Sequence, residues 1–250
     1  MMKNPVNFPR GLIQPRQGYR FSVDSLLLSC FIPLRKNSII ADLGCGCGVI
    51  GFGVFLRNPE ADLTFTGIDK SPDMLETAVS NSKIMGIEDR FDFRQADAAN
   101  LAQAGFRPDT YDMILTNPPY YRTGSGRLSA HEGRNGASFS SQSTLNDFFK
   151  ASNYLLKNRS KIGVVFLSDR MEELLCSMKN NRLEPKKILP VYGREDRPSR
   201  IILVEGVKNA GPGLTLLPPL ILHNTDNSIT AHALEFCPFL ECNSQRKQIQ

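Results

Sequence analysis

The chain has 250 residues, enough to bury a core of ordinary size as one large domain or two small ones. Charged residues make up 22% and hydrophobic ones 41%, and no apolar run reaches the roughly 18 residues of a membrane helix, which excludes a helical membrane protein and leaves a soluble, cytoplasmic one. A formal charge of +5 suits an anionic partner but is modest beside dedicated nucleic-acid-binding modules, and six scattered cysteines without paired CxxC units fit reduced thiols rather than a metal site.

In chain order, residues 1–37 form a lead-in segment in which Pro9, Arg10, Pro15 and Arg16 break up any secretory signal. Leu26, Leu27, Leu28, Phe31 and Ile32 make the apolar face of a short helix capped near Ser22 or Asp24. A strand over 38–43 runs into glycines, and a helix over 49–56 follows. The strand at 63–68 hands over to Asp69, and the helix at 71–85 has Ser71 as N-cap, Pro72 at its first position and Gly86 as stop. Strands at 90–95 and 111–116 lead to Asp97 and Asn117. After a long loop over 121–142 come a helix at 145–156, a strand at 161–167 and a helix at 169–180. Strands at 186–191 and 200–205 then form a closing antiparallel hairpin.

Strands alternating with helices predict an α/β fold with a seven-stranded, mostly parallel sheet and helices on both faces. The expected organisation is the lead-in segment, a main domain over 38–206, and an extension of that domain over 207–250. Open sheets of this kind place ligands beyond the carboxyl ends of the strands, where the polar residues just named collect.

Between the first strand and helix, Asp42-Leu43-Gly44-Cys45-Gly46-Cys47-Gly48 is a glycine turn at which a ligand can approach the main chain. A GxGxG alone fits a dehydrogenase as well as a methyltransferase. Asp42, however, would repel a pyrophosphate and attract the ammonium of an amino-acid moiety, which points to S-adenosylmethionine. Asp69, with Lys70 beside it, is placed to accept hydrogen bonds from ribose hydroxyls. Asp97 is placed to accept from the adenine amino group, with Ile68 and Ala98 flanking the ring.

In Asn117-Pro118-Pro119-Tyr120, proline fixes φ and restricts the residue before it, so the side-chain oxygen of Asn117 and the carbonyl of Pro118 make a rigid acceptor pair. Such a pair can take both hydrogens of a planar –NH2 group and aim its lone pair at a methyl donor, which also brings Asn117 to the cofactor. Tyr120 offers a face for stacking and Tyr121 a second wall.

On the glycine loop and this tetrapeptide the sequence resembles the class I, Rossmann-like methyltransferases that modify exocyclic amino or amide nitrogens. The resemblance implies Asn117, Pro118 and Tyr120 as catalytic residues. Its substrates include adenine N6 of DNA and RNA, guanine N2 of ribosomal RNA and glutamine N5 of release factors. The run "YRFSVDSLLLSCFIP" at 19–33, the doubled tyrosine, Glu132-Gly133-Arg134 and the strand from Arg197 to Leu203 are similar to small bacterial proteins that methylate N6 of the adenine beside the anticodon of valine tRNA. Phe21 and Asp24 would then lie near the cofactor mouth.

The loop at 121–142 carries Arg122, Arg127 and Arg134 among several glycines, a composition suited to holding RNA phosphates. Lys186, Lys187, Arg194, Arg197 and Arg200 extend that basic track. A tRNA partner is implied, with no obligatory protein partner. Glutamine methylation of a release factor is the weaker reading, because 37 residues ahead of the first strand leave no room for the helical domain of such enzymes.

Overall fold

The computed structural model describes residues 8–14, 22–119 and 144–244. Five strands begin the sheet: β1 (Ile39–Leu43), β2 (Thr64–Asp69), β3 (Phe91–Gln95), β4 (Tyr111–Thr116) and β5 (Leu156–Leu167). Then come β6 (Leu183–Tyr192), β7 (Ile201–Lys208) and two-residue strands β8 (Thr215–Leu216) and β9 (Leu220–Ile221). The helices are α1 (Val23–Phe31), α2 (Val49–Arg57), α3 (Pro72–Met85), α4 (Leu145–Leu155), α5 (Met171–Asn180), α6 (Ala231–Phe236) and α7 (Glu241–Ser244).

The sheet runs in the order β3-β2-β1-β4-β5-β7-β6-β8, with β9 also on β6. Strands β1 to β5 are mutually parallel, and β7 lies between β5 and β6, antiparallel to both. The closing hairpin is as expected, but among the described residues the sheet has nine strands and not seven. Thr215-Leu216 and Leu220-Ile221 add parallel pairs along β6, and two residues between prolines and glycines carry too little periodicity to read as strands.

Alternation along the strands divides the core between the two faces. Ile40, Val165 and Leu203 pack with Leu27, Phe52 and Phe239 on one side; Ala41, Leu43, Val164, Phe166 and Val204 pack with Phe149 and Leu174 on the other. Phe52 and Phe149 are fully buried, each contributing about 2–3 kcal/mol of apolar transfer.

Two strands start earlier than their apolar runs suggest. Strand β5 begins at Leu156, and its polar stretch Lys157-Asn158-Arg159-Ser160 hides a register shift, with Arg159 at φ 64. Strand β6 takes in Pro185 at a second irregularity, the kind of position where a sheet tolerates proline. Helix α3 matches its sequence signals closely: Ser71 accepts from the Met74 N–H, and Gly86 ends the helix at φ 68.

Candidate active site

The strand order places the ends of β3, β2, β1 and β4 side by side, so Asp97, Asp69, Asp42 and Asn117 gather along one edge of the sheet. Parallel register sets Leu43 beside Ile68 and Asp42 beside Leu115, which fixes their relative heights.

The glycine turn is held by the neighbouring strand, since the N–H groups of Gly44 and Cys45 both donate to the Ile68 carbonyl at 2.8 and 3.1 Å. Gly48, the residue before α2, has φ 87, and a Cβ there would fall 2.5 Å from the Phe52 ring. Gly46 differs: at φ 53 an added Cβ would meet nothing within 4 Å, so the turn presents bare backbone to open space at that point. Cys45 and Cys47 are buried, and burial pushes both thiols up, Cys47 to about 11, which keeps them protonated and inert. None of the six cysteines is in a disulfide.

Asp42 is 2% exposed and neither of its carboxylate oxygens has a hydrogen-bond partner in the structure. Burial pushes its carboxyl up to about 7; the nearby Gly51 amide offsets part of this without reaching hydrogen-bond geometry, and Asp69 adds to it. An orphaned buried carboxylate is costly unless something cationic completes it. The ammonium of an S-adenosylmethionine methionyl group meets that requirement, and the bare backbone at Gly46 leaves space for the same molecule. These residues fit the group.

Asp69 bridges two loops, Oδ2 accepting from the Gly46 N–H and Oδ1 from the Ser71 N–H, both at 2.9 Å. A carboxylate has further lone pairs for ribose hydroxyls, so these bonds orient the acceptor without using it up. Asp97 caps the 3-10 turn at 98–100 through Oδ1 and the Ala99 N–H at 2.9 Å, and Ala98 opens that turn, half-buried against the core. Lys70 is exposed, and its carbonyl accepts from Gln95 Nε2 at 3.2 Å.

Asn117 follows the last residue of β4 and is half-buried, with Pro118 buried behind it. Its Nδ2 donates to Ser25 Oγ on α1 at 3.3 Å, so the amide nitrogen faces the helix. One residue earlier, the buried Thr116 hydroxyl donates to the Leu43 carbonyl at 2.8 Å and ties the tetrapeptide to the glycine turn. Tyr120, Tyr121, Arg122, Arg127 and Arg134 lie outside the described residues, as does Phe21.

The residues that sequence reasoning missed are supports. Ser25 lay hidden in an apolar helix. Asn81 is fully buried on α3: its Nδ2 donates to the Cys47 and Ile13 carbonyls, and its Oδ1 accepts from the Ile13 N–H. Its signal was position, three residues after Ala78 on the buried face. Asp24 lies in the first turn of α1, where burial pushes its carboxyl up against the opposing pull of Ser22 and Arg200. Of the residues expected to extend the basic track, Lys186 donates to the carbonyls of 211–213 and Lys187 pairs with Glu205, while Arg194, Arg197 and Arg200 lie in the segment after β6. Among the described residues no cluster of side chains could hold a metal ion, and no helix is long and apolar enough to cross a membrane.

A family model described as a methyltransferase domain matches residues 34–191. Over 109 residues the chain is 35% identical to Ribosomal RNA large subunit methyltransferase G of Psychromonas ingrahamii, covering 42% of this chain and 25% of that protein. Over 107 residues it is 28% identical to tRNA1(Val) (adenine(37)-N6)-methyltransferase of Yersinia pestis, covering 42% of each. The match thus spans a quarter of the first relative's length and 42% of the second's. Among solved structures, a predicted O-methyltransferase of Agrobacterium tumefaciens shares the fold at TM-score 0.71 and 19% identity, over 86% of this chain and 96% of that one. Geranyl diphosphate C-methyltransferase of Streptomyces coelicolor, in complex with S-adenosyl-L-homocysteine, shares it at TM-score 0.52 and 13% identity, over 74% of this chain and 79% of that one. With its glycine turn, acidic strand ends and sheet order, the chain belongs to the Rossmann-like methyltransferases that use S-adenosylmethionine.

Proposed function

We propose that this methyltransferase modifies the N6 amine of an adenine in tRNA. The observation that carries this reading is the setting of Asn117, one residue past β4, tied through Thr116 to the glycine turn and turned by Ser25 so that the nitrogen of its amide faces α1.

When bound, S-adenosylmethionine supplies an electrophilic methyl carbon. Asp42 holds the ammonium of that molecule, Asp69 its ribose hydroxyls and Asp97 its adenine amino group, with Lys70, Ala98 and Asn117 lining the same crevice. Asn117 Oδ1 and the Pro118 carbonyl accept the two hydrogens of the target amine, and Pro118 and Pro119 keep that pair from relaxing. An exocyclic amine conjugated to its ring is a poor nucleophile, so two fixed acceptors that favour positive charge building on it lower the barrier. After transfer the nitrogen is acidic and loses its proton to water or to the acceptor pair. A base reached inside a folded RNA must leave its stack, and Tyr120 and Tyr121 give it a surface on arrival, while Arg122, Arg127 and Arg134 hold phosphates.

The Yersinia relative supports tRNA, and the Psychromonas relative gives ribosomal RNA as a second reading. Incubation with tritiated S-adenosylmethionine and, separately, unfractionated tRNA, ribosomal RNA and release factor tests the choice. Label in tRNA that digests to N6-methyladenosine is expected. Label confined to ribosomal RNA or to glutamine of the release factor would overturn it.

A further inference from the structure

Strand β6 runs parallel to β1 and β4, so the loop after it opens on the same edge of the sheet as Asn117. There, between residues 193–200 and the C-terminal segment 222–240, lies a cleft of about 520 Å3. Its lining combines the basic Arg194, Arg197 and Arg200 with the apolar Val23, Leu222 and Ile229. Asp196 takes the Nε of Arg194 at 3.1 Å and stands 3.9 Å from that of Arg197, so a single carboxylate serves two guanidinium groups. Burial pushes the carboxyl of Asp24 up, against the pull of Ser22 and of the Arg200 charge. His223 also lines the cleft, and because Nδ1 faces the Gly193 carbonyl at 3.1 Å, which can only accept, Nε2 is the acceptor of the neutral ring.

Guanidinium groups and apolar side chains lining one cleft suit a ligand with an anionic end and a flat, weakly polar body. A nucleotide has both, its phosphate matching the arginines and its base the surface of Leu222 and Ile229. Val23 stands two residues before Ser25 on the same helix, and the Ser25 hydroxyl receives the Asn117 amide, so α1 contributes to both the cleft and the setting of Asn117.

We propose that this cleft holds a nucleotide of the substrate RNA a few residues along the strand from the methylated base, with its phosphate on Arg194, Arg197 and Arg200. The inference rests on the reading of the chain as an RNA methyltransferase, yet the site can be tested apart from which RNA is modified. The cleft would fix the register of the strand and so contribute to the choice of base, while Asn117 acts on whatever amine arrives.

The test uses the 250-residue chain saturated with S-adenosylhomocysteine and a fluorescein-labelled ten-nucleotide single-stranded RNA, with anisotropy read across a salt series. Arg197→Glu, at a largely exposed position, and the double variant Arg194→Ala/Arg197→Ala are compared with the parent after each is shown to bind S-adenosylhomocysteine normally. At about 0.7 in the logarithmic salt slope per phosphate neutralised on a single strand, the double variant, which strips two of the three arginines from one phosphate, should lower the slope by up to about 0.7 and weaken binding at least tenfold. With the RNA that accepts methyl groups, KM should rise to a similar extent. Crosslinking of 4-thiouridine-substituted RNA should mark peptides 193–200 or 222–229. Unchanged affinity, slope and KM in both variants would overturn the proposal, even if the parent methylates tRNA. Loss of oligonucleotide binding in the variants of an enzyme that methylates no tRNA would uphold the cleft and discard the target assignment.

Discussion

Replacing Asp42 by asparagine should make the cofactor-free protein more stable at alkaline pH and less able to bind its cofactor. The carboxyl is 2% exposed, without a hydrogen-bond partner, and raised from the ordinary 3.8 to about 7 by burial and, secondarily, by Asp69. Between those two pH values the folded protein keeps a proton that the unfolded chain has lost, so stability falls as pH rises and levels off above about 7. At 1.36 kcal/mol per pH unit the full effect is roughly 4 kcal/mol, of which roughly 3 lies between pH 5 and pH 8. An asparagine does not titrate there, although its buried amide costs about 1–3 kcal/mol at every pH. The melting temperature of Asp42→Asn minus that of the parent, measured without cofactor, should therefore climb by roughly 6–12 °C from pH 5 to pH 8, at about 2–4 °C per kcal/mol for a chain of this size. Saturating S-adenosylmethionine should stabilise the parent increasingly with pH and the variant much less. A melting-temperature difference that stays flat or falls over this range would refute the assignment of Asp42 as an unpartnered buried carboxylate.

Further consequences are equally concrete. Asn117→Ala should reduce kcat by at least 100-fold while leaving S-adenosylmethionine affinity, read by calorimetry, within about twofold. Ser25→Ala removes the oxygen that receives the Asn117 Nδ2 and should lower kcat roughly tenfold without changing cofactor affinity; an equal loss of both would show that Ser25 supports the fold alone. Gly48→Ala places a methyl group 2.5 Å from the Phe52 ring at φ 87, and should cost roughly 2–4 kcal/mol in urea unfolding.

Much of this edge of the sheet was legible from residue order, because the chemistry depends on where strands end. Gly44, Gly46 and Gly48 after one apolar run, and Asn117-Pro118-Pro119 after another, announce themselves through backbone demands that few other sequences meet. Asp69 and Asp97 were legible as strand-end acids, but not as the anchors they also are, since a hydrogen bond to Gly46 or a cap on Ala99 adds no pattern of its own. Thr116 reads as a β-branched strand residue, and only the register of β4 against β1 brings its hydroxyl to the Leu43 carbonyl. Ser25 was invisible for the same reason, its partner lying 92 residues away. Strands β8 and β9 are two residues each, too short for periodicity to appear. Sequence reports local backbone requirements well; it reports poorly the side-chain contacts that tertiary register creates.

In the proposed reaction the amide of Asn117 and the carbonyl of Pro118 grip a planar amine facing the methyl donor. A crystal structure of the enzyme with S-adenosylhomocysteine and an adenosine-containing oligonucleotide would test it most directly. N6 is expected within hydrogen-bonding distance of Asn117 Oδ1 and of the Pro118 carbonyl oxygen, with the thioether sulfur in line beyond it. An Asn117 amide rotated away from the base, or a thioether at another edge of the sheet, would contradict it.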